Sequence, residues 1–436
     1  NNNETLLPQP NSLVGNGAGS VFKLFTAAAA LEAGYGIKDK LAVPNRYEAE
    51  GLGYGGAANC PPNKYCVENS GNYASTMTMQ DTLAYSPNTP FIQLTEQLGV
   101  ERLVDIAVKL GLRSYEEPGS YDGESSIADH IKESNLGSFT LGPTAVNALE
   151  LSNVGATVAS QGMWCEPNPI EEVTDSHGNE VYLKHTPCER AVDKEVAKAL
   201  ENNMTADTEK GTASDSARAA GFSGQAAAKT GTTESNQSSA FLGFNSAVAA
   251  APYIYNDGTT TSPLCTGPVR QCSSGNLFGG KEPAATFYTM AARVPEAQKG
   301  TVPDYDRAYD SGKVSPLIDG VKGKSESQAR SALEKAGYKV RTAEVPAPGV
   351  GYGKVVRVIT GPSGAKKGAE VTLQLSDGSA SDSSDSASTN PIVWDSNSGS
   401  PSAPSGGEPG GGQSEPLFTQ EDVDRFTNDV RSFFGL

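Results

Sequence analysis

Residues 224–255 place the tightest constraint on the fold. GQAAAKTGTT and SSAFLGFNSAVAAAPYIY are neighbouring runs that read as paired strands, the second broken by a turn at Asn245-Ser246. Helix-forming segments precede these strands rather than alternate with them. From Ala18, SVFKLFTAAAALEAG is rich in strong helix formers and closes at Gly34. FIQLTEQLG and VERLVDIAVKLGL follow the first-turn proline Pro90, and residues 144–162 and 190–210 add two more helices. Helices followed by strands predict an α+β fold, with helices packed on an antiparallel sheet. This unit is expected to span residues 1–293, with the glycine-rich stretch 36–79 as a long loop.

Residues 294–313 read as a polar linker, and a smaller α/β unit is expected at 314–376. There SESQARSALEKAGY has Ala329, Leu333 and Ala336 at helical spacing, and KVRTAEV, KVVRVIT and EVTLQLS alternate as strands. Ten basic residues against five acidic ones give this unit a surplus of five positive charges, in a chain whose net charge is −17. It is either a module that binds an anionic partner or a spacer with solvated charge. Residues 377–415 are rich in Ser, Gly, Pro and Asp, too poor in apolar side chains to form a core, and read as a disordered tether. At 416–436 a short amphipathic helix is expected, capped by Thr419, with Val423, Phe426, Val430 and Phe433 on one stripe. Such a helix either docks on another surface or frays.

The acidic balance argues against a nucleic-acid partner, which would require basic surface to neutralise phosphates. No apolar run approaches the ~18 residues needed to span a bilayer. The sequence has neither an initiator Met nor a basic-then-apolar leader, so it is expected to be a mature or excised piece. The six cysteines fall into three local pairs: Cys60 with Cys66, Cys165 with Cys188, and Cys265 with Cys272. Each pair brackets a turn-rich loop that is easily closed, which favours local disulfides and an oxidising compartment; six free thiols are the alternative. No cofactor is expected. No metal is expected either, since three scattered histidines and no C-x-x-C supply no zinc cluster.

Three short motifs carry the chemistry. In Ser20-Val21-Phe22-Lys23, a hydroxyl and an amine at i and i+3 share a helical face, and a helix start favours a developing oxyanion. A lysine desolvated by neighbours such as Phe22 and Phe25 can accept a proton at neutral pH. In Ser86-Pro87-Asn88, prolines stiffen a loop that can hold Ser86 as a proton relay and Asn88 as an amide orienting Lys23 and substrate. In Lys229-Thr230-Gly231-Thr232, the glycine admits a close backbone, and the cation with two hydroxyls suits a carboxylate. The backbone N–H groups of Ser20 and Thr232 are candidates for an oxyanion hole. Alone, each motif is what an ordinary helix start, helix cap or strand-end turn would show. Together, in this order, they resemble the S-x-x-K, S-D-N, K-T-G signature of penicillin-binding proteins and class A β-lactamases, with S-P-N in place of S-D-N.

The residues around these motifs, GAGSVFK, AYSPNTPF, SFTLGPTAVNALELSNVGATVASQG and AAKTGTT, resemble the transpeptidase domain of penicillin-binding proteins over roughly residues 11–293. The unit at 314–376 is similar to a PASTA module, and the combination resembles a bifunctional class A penicillin-binding protein of actinobacterial type. The resemblance implies that Ser20 forms an acyl-enzyme from the D-Ala-D-Ala end of a peptidoglycan stem peptide, that an amine of a second stem then attacks, and that penicillins acylate the same serine. It implies work on the wall face of the bacterial membrane, and proteins of wall synthesis or division as partners. It also implies preceding strands, a glycosyltransferase domain and a membrane anchor, so a chain starting 19 residues before Ser20 is expected to be N-terminally truncated. A DD-carboxypeptidase or β-lactamase would use the same chemistry. A non-catalytic wall-binding or β-lactam-sensing protein is the alternative of another class.

Overall fold

A 3-10 turn at Gly19–Phe22 runs directly into α1 (Lys23–Glu32), in the computed structural model that describes residues 17–182, 186–233, 237–255, 277–312, 321–347, 350–360 and 370–379. Every residue of α1 from Lys23 to Leu31 is buried. A helix apolar on all sides belongs at the centre of a domain, and the run Ala27–Ala30 lets neighbouring helices approach closely. Gly34, with φ +96°, ends it as the sequence suggested.

Residues 36–79 are not a plain loop. They carry β1 (Lys40–Ala42), β2 (Arg46–Glu50), β3 (Gly55–Gly56), β4 (Lys64–Glu68) and β5 (Thr76–Thr78). The antiparallel pair β1–β5 and the sheet β2–β4–β3 lie here, with the Cys60–Cys66 disulfide beside β4. Strands of two to five residues are too short to display an alternation in sequence.

The helical layer continues with α2 (Met79–Tyr85), α3 (Thr89–Leu98), α4 (Val100–Leu110), α5 (Ile127–Glu133) and α6 (Ala148–Ala159). The ribbon β6 (Met163–Trp164) and β7 (Glu189–Arg190) follows, with Cys165–Cys188 bridged at its end, then α7 (Lys194–Glu209) and α8 (Ser214–Ala219). The central sheet is formed by β8 (Ala227–Thr232), β9 (Ser238–Phe244), β10 (Ala249–Ala250) and β11 (Tyr253–Tyr255), all antiparallel. Strand β9 lies in the middle; β8 pairs along one side of it, and β10 and β11 along the other.

Alternation along these strands splits the core. Ala227, Ala240, Leu242 and Phe244 join the main cluster with α1, α3, α4, α6 and α7. Ala226, Ala228 and Phe241 turn to the other face, against Phe287 and Tyr288 of α9 (Glu282–Arg293). The mixed α+β arrangement predicted from the segment order is thus the one found.

Residues 294–312, read from sequence as a polar linker, carry α10 (Pro295–Lys299) and a 3-10 turn and are pinned to the domain. Ile37 N–H donates to Tyr309 O (2.8 Å), and Gly312 N–H donates to Asp39 Oδ1 (2.9 Å). The small unit follows with α11 (Glu326–Lys335), opened by a Ser325/Gln328 capping box, and β12 (Lys339–Val345), β13 (Val355–Thr360) and β14 (Glu370–Ser376). Its sheet is mixed: β14 lies between β12, parallel to it, and antiparallel β13. Lys322 reaches Glu96 on α3 at 2.9 Å, tying this unit to the helical layer.

Of the three disulfides expected from sequence, two are present among the described residues: Cys60 is bonded to Cys66, and Cys165 to Cys188. Cys265 and Cys272, the third expected pair, both lie outside the described residues. Most of the tether and the C-terminal amphipathic helix lie outside them as well.

Candidate active site

The three motifs converge on one point at the edge of the central sheet. Ser20 sits in the 3-10 turn, half-buried, and not in the α-helix proper. Lys23 is the first residue of α1, so the two residues straddle the junction of turn and helix. Gly19, at φ +56°, sets the turn, and a Cβ there would lie 2.6 Å from the carbonyl carbon of Thr232. Gly231 reciprocates: its Cβ would fall 1.8 Å from Ala18 O. The two glycines therefore let the serine turn and strand β8 touch backbone to backbone.

Lys23 is fully buried, and its Nζ reaches Ser86 O (2.7 Å), Asn88 Oδ1 (2.8 Å) and Ser86 Oγ (3.2 Å). The two carbonyl oxygens only accept, whereas the Ser86 hydroxyl can donate or accept. The nearby ring is Phe91 of α3, with its centroid 5.5 Å from the ammonium. Phe22 and Phe25, the aromatic neighbours expected from sequence, pack instead on each other and on Phe139.

Ser86 is the C-cap of α2 in the left-handed conformation, φ 63° and ψ 34°. A non-glycine residue there carries about 1–3 kcal/mol of strain, of the kind stored at functional sites. The conformation places Oγ between two lysine side chains: Lys229 Nζ also donates to it, at 3.0 Å. Lys229 is fully buried, and burial lowers its pKa to about 8 against the opposing pull of Asp207. Its other bond goes to Thr230 O at 3.0 Å.

Three supporting groups were not legible in the sequence. Asn69 Oδ1 accepts from the N–H groups of Asn88 (2.7 Å) and Thr89 (3.0 Å), fixing the start of α3. Asn88 Nδ2 donates to Glu68 O at the end of β4 (3.0 Å), so one N–H of the amide expected to orient Lys23 and substrate is committed to the fold. Asp207 of α7, fully buried, accepts from Thr230 N–H at 3.1 Å. None of these has a motif around it, because each acts across an interval of sequence set by tertiary packing alone. Of the hydroxyls expected to face a carboxylate, that of Thr230 bonds Thr212, whereas Thr232 Oγ1 accepts from Gly279 N–H (3.1 Å), a bond that does not use its own O–H. Among the described residues no group of His, Cys, Asp and Glu is arranged to hold a metal ion.

Residues 16–269, more than half of the chain, match the family described as the penicillin binding protein transpeptidase domain. The chain belongs to the penicillin-binding protein transpeptidase family. Residues 318–377 match the PASTA domain family. The chain is 24% identical over 307 residues to penicillin-binding protein 1A of Mycobacterium tuberculosis, covering 65% of this chain and 32% of that protein. It is 27% identical over 197 residues to penicillin-binding protein 1A of Aquifex aeolicus, covering 45% and 24%. It thus spans about a quarter to a third of the length of these curated relatives. The fold is similar to the PonA1 protein of Mycobacterium tuberculosis solved in complex with penicillin V. That match has a TM-score of 0.54 at 20% identity and covers 71% of this chain and 76% of that one. Ser20, Ser86 and the K-T-G strand of this transpeptidase-family domain thus sit on a fold similar to that structure.

Proposed function

We propose that the chain is the transpeptidase portion of a peptidoglycan synthase that works outside the cytoplasmic membrane, to which its parent protein is anchored. The reading rests on one observation: Ser86 Oγ is held between Lys23 and Lys229 at the foot of the Ser20 turn. In the first half-reaction, Ser20 Oγ attacks the carbonyl of the penultimate D-Ala, and its proton passes to neutral Lys23. The proton then moves through Ser86 to the leaving nitrogen; the C–N bond breaks, free D-Ala departs, and an ester remains on Ser20. In the second, an amine of another stem attacks the ester, an amide forms, and Ser20 Oγ regains a proton. Lys229 supplies positive charge for the substrate carboxylate, while Gly231 admits the peptide along the edge of β8. Thr230 binds that carboxylate by exchanging its bond to Thr212, Thr232 binds it through its hydroxyl proton, and the N–H groups of Ser20 and Thr232 hold the oxyanion. A penicillin opens its lactam by the same attack but keeps its leaving group tethered.

Fluorescent penicillin with wild type and Ser20→Ala tests this. One label per chain, absent in the variant and persisting for many minutes, supports the reading. Turnover in seconds would point to a β-lactamase, and an unlabelled wild type at saturating probe would leave only the non-catalytic alternative. Whether the basic module binds wall or acts as a spacer is read separately, from salt-sensitive retention on isolated peptidoglycan.

A further inference from the structure

Buried charge is rare in this domain, and Asp207 is a fully buried carboxylate that the proposed reaction does not use. It is also the most heavily bonded acid near the site. Oδ1 accepts from the Thr212 hydroxyl (2.8 Å) and from Ala213 N–H (3.0 Å), and Oδ2 accepts from Thr230 N–H (3.1 Å). Thr212 in turn bonds the Thr230 hydroxyl. One carboxylate on α7 thus holds the backbone of the K-T-G strand and the turn that follows α7.

We infer that Asp207 is a positioning residue whose negative charge keeps Lys229 in its ammonium form and fixes Thr230, so that carboxylate-bearing substrates and β-lactams are captured up to neutral and mildly alkaline pH. The inference rests on the proposed acylation of Ser20. The argument from charge is direct. A buried lysine whose hydrogen-bond acceptors are a hydroxyl and a carbonyl carries an uncompensated charge. Asp207 is the anion acting on it: the two raise and lower each other's pKa in the expected directions, each against its own burial. The other groups facing the pair add no net charge. Lys23 of α1 lies across Ser86 and is neutral when it serves as the base of the proposed acylation. Tyr288 of α9, bonded to Thr208, has its phenol held well above the usual range by burial, and so stays uncharged. The exposed Lys210–Asp81 pair neutralises itself at the end of α7.

The test is the pH profile of fluorescent-penicillin labelling, from pH 5.5 to 9.5, for wild type and Asp207→Asn. Removing the charge should move the alkaline midpoint to lower pH. Labelling at pH 8 should fall at least fivefold while labelling at pH 6 stays within about twofold of wild type. In a Lys229→Arg background, whose guanidinium stays charged throughout, the charge-removing change should leave the midpoint where it was. If the midpoint in the single variant is unmoved and only the amplitude drops, Asp207 is a packing residue and the inference is wrong. Asp207→Ser repeats the measurement should the amide fail to fold. Absence of any labelling in wild type would instead overturn the proposed function, so the two failures are distinct.

Discussion

Replacing Glu201 with Gln tests how this domain tolerates a charge with nowhere to go. Glu201 lies on α7, fully buried, and neither of its carboxylate oxygens has a hydrogen-bond partner among the described residues. Burial raises its pKa from 4.5 to about 8. Below pH 4.5 the side chain is protonated both folded and unfolded, and it imposes no penalty. Between 4.5 and 8 the unfolded chain releases the proton while the folded chain keeps it, so stability falls as pH rises; above 8 the loss is complete. At 1.36 kcal/mol per pH unit, the full loss is about 5 kcal/mol, with about 3 kcal/mol of it present at pH 7. Glu201→Gln removes the ionisation and keeps the shape. Urea unfolding of both proteins at pH 5, 7 and 8 should give similar stabilities at pH 5, with the variant pulling ahead by about 2–3 kcal/mol at pH 7. Parallel stability curves across that range would show that the carboxylate is compensated in the folded protein, and the reasoning would fail.

Further outcomes are expected at the site. Because Lys229 titrates at about 8, wild-type labelling by an anionic penicillin should fall above that pH, by up to tenfold per unit, in stopped-flow or gel-based rates. Gly231→Ala would drive a methyl to 1.8 Å from Ala18 O and should reduce labelling at least tenfold, read alongside a thermal-shift check of folding. Labelling at the wild-type rate would show that the serine turn and β8 can separate. Replacing both Cys60 and Cys66 by Ser frees a short loop beside β4 and should destabilise the domain by about 2 kcal/mol in denaturant. It should also slow labelling several-fold, since β4 ends at Glu68, whose carbonyl holds Asn88. An unchanged rate would uncouple that hairpin from the site. Intact mass of the non-reduced chain should show no free thiol at Cys265 or Cys272; alkylation of both would refute the third local disulfide.

The legible part of this protein is local. Ala-rich α1, the amphipathic repeats of α3 and α4, the paired β8 and β9, and the helical spacing of Ala329, Leu333 and Ala336 in α11 each state their structure within a dozen residues. Their order alone gave an α+β domain followed by a smaller mixed unit. The five short strands between 36 and 79 were missed because two to five residues among glycines show no periodicity. The packed 294–312 segment was missed because its few buried or half-buried side chains, Ala297, Tyr305 and Tyr309, show no period, and much of its anchoring is by tertiary bonds at Tyr309 and Asp310.

What the sequence determined by itself was which chemical groups are available: a serine and lysine three apart, a stiff S-x-N, a K-T-G beside small residues, and the spacing that lets Cys60 meet Cys66 and Cys165 meet Cys188. Only the tertiary structure decided how those groups are wired. It set Ser86 in a left-handed cap between two buried lysines, gave Phe91 rather than Phe22 the place beside Lys23, and recruited Asn69 and Asp207 from unrelated segments. The physical reason is range. Hydrophobic period and turn chemistry act over a few residues, whereas burial of charge depends on every element that closes around it.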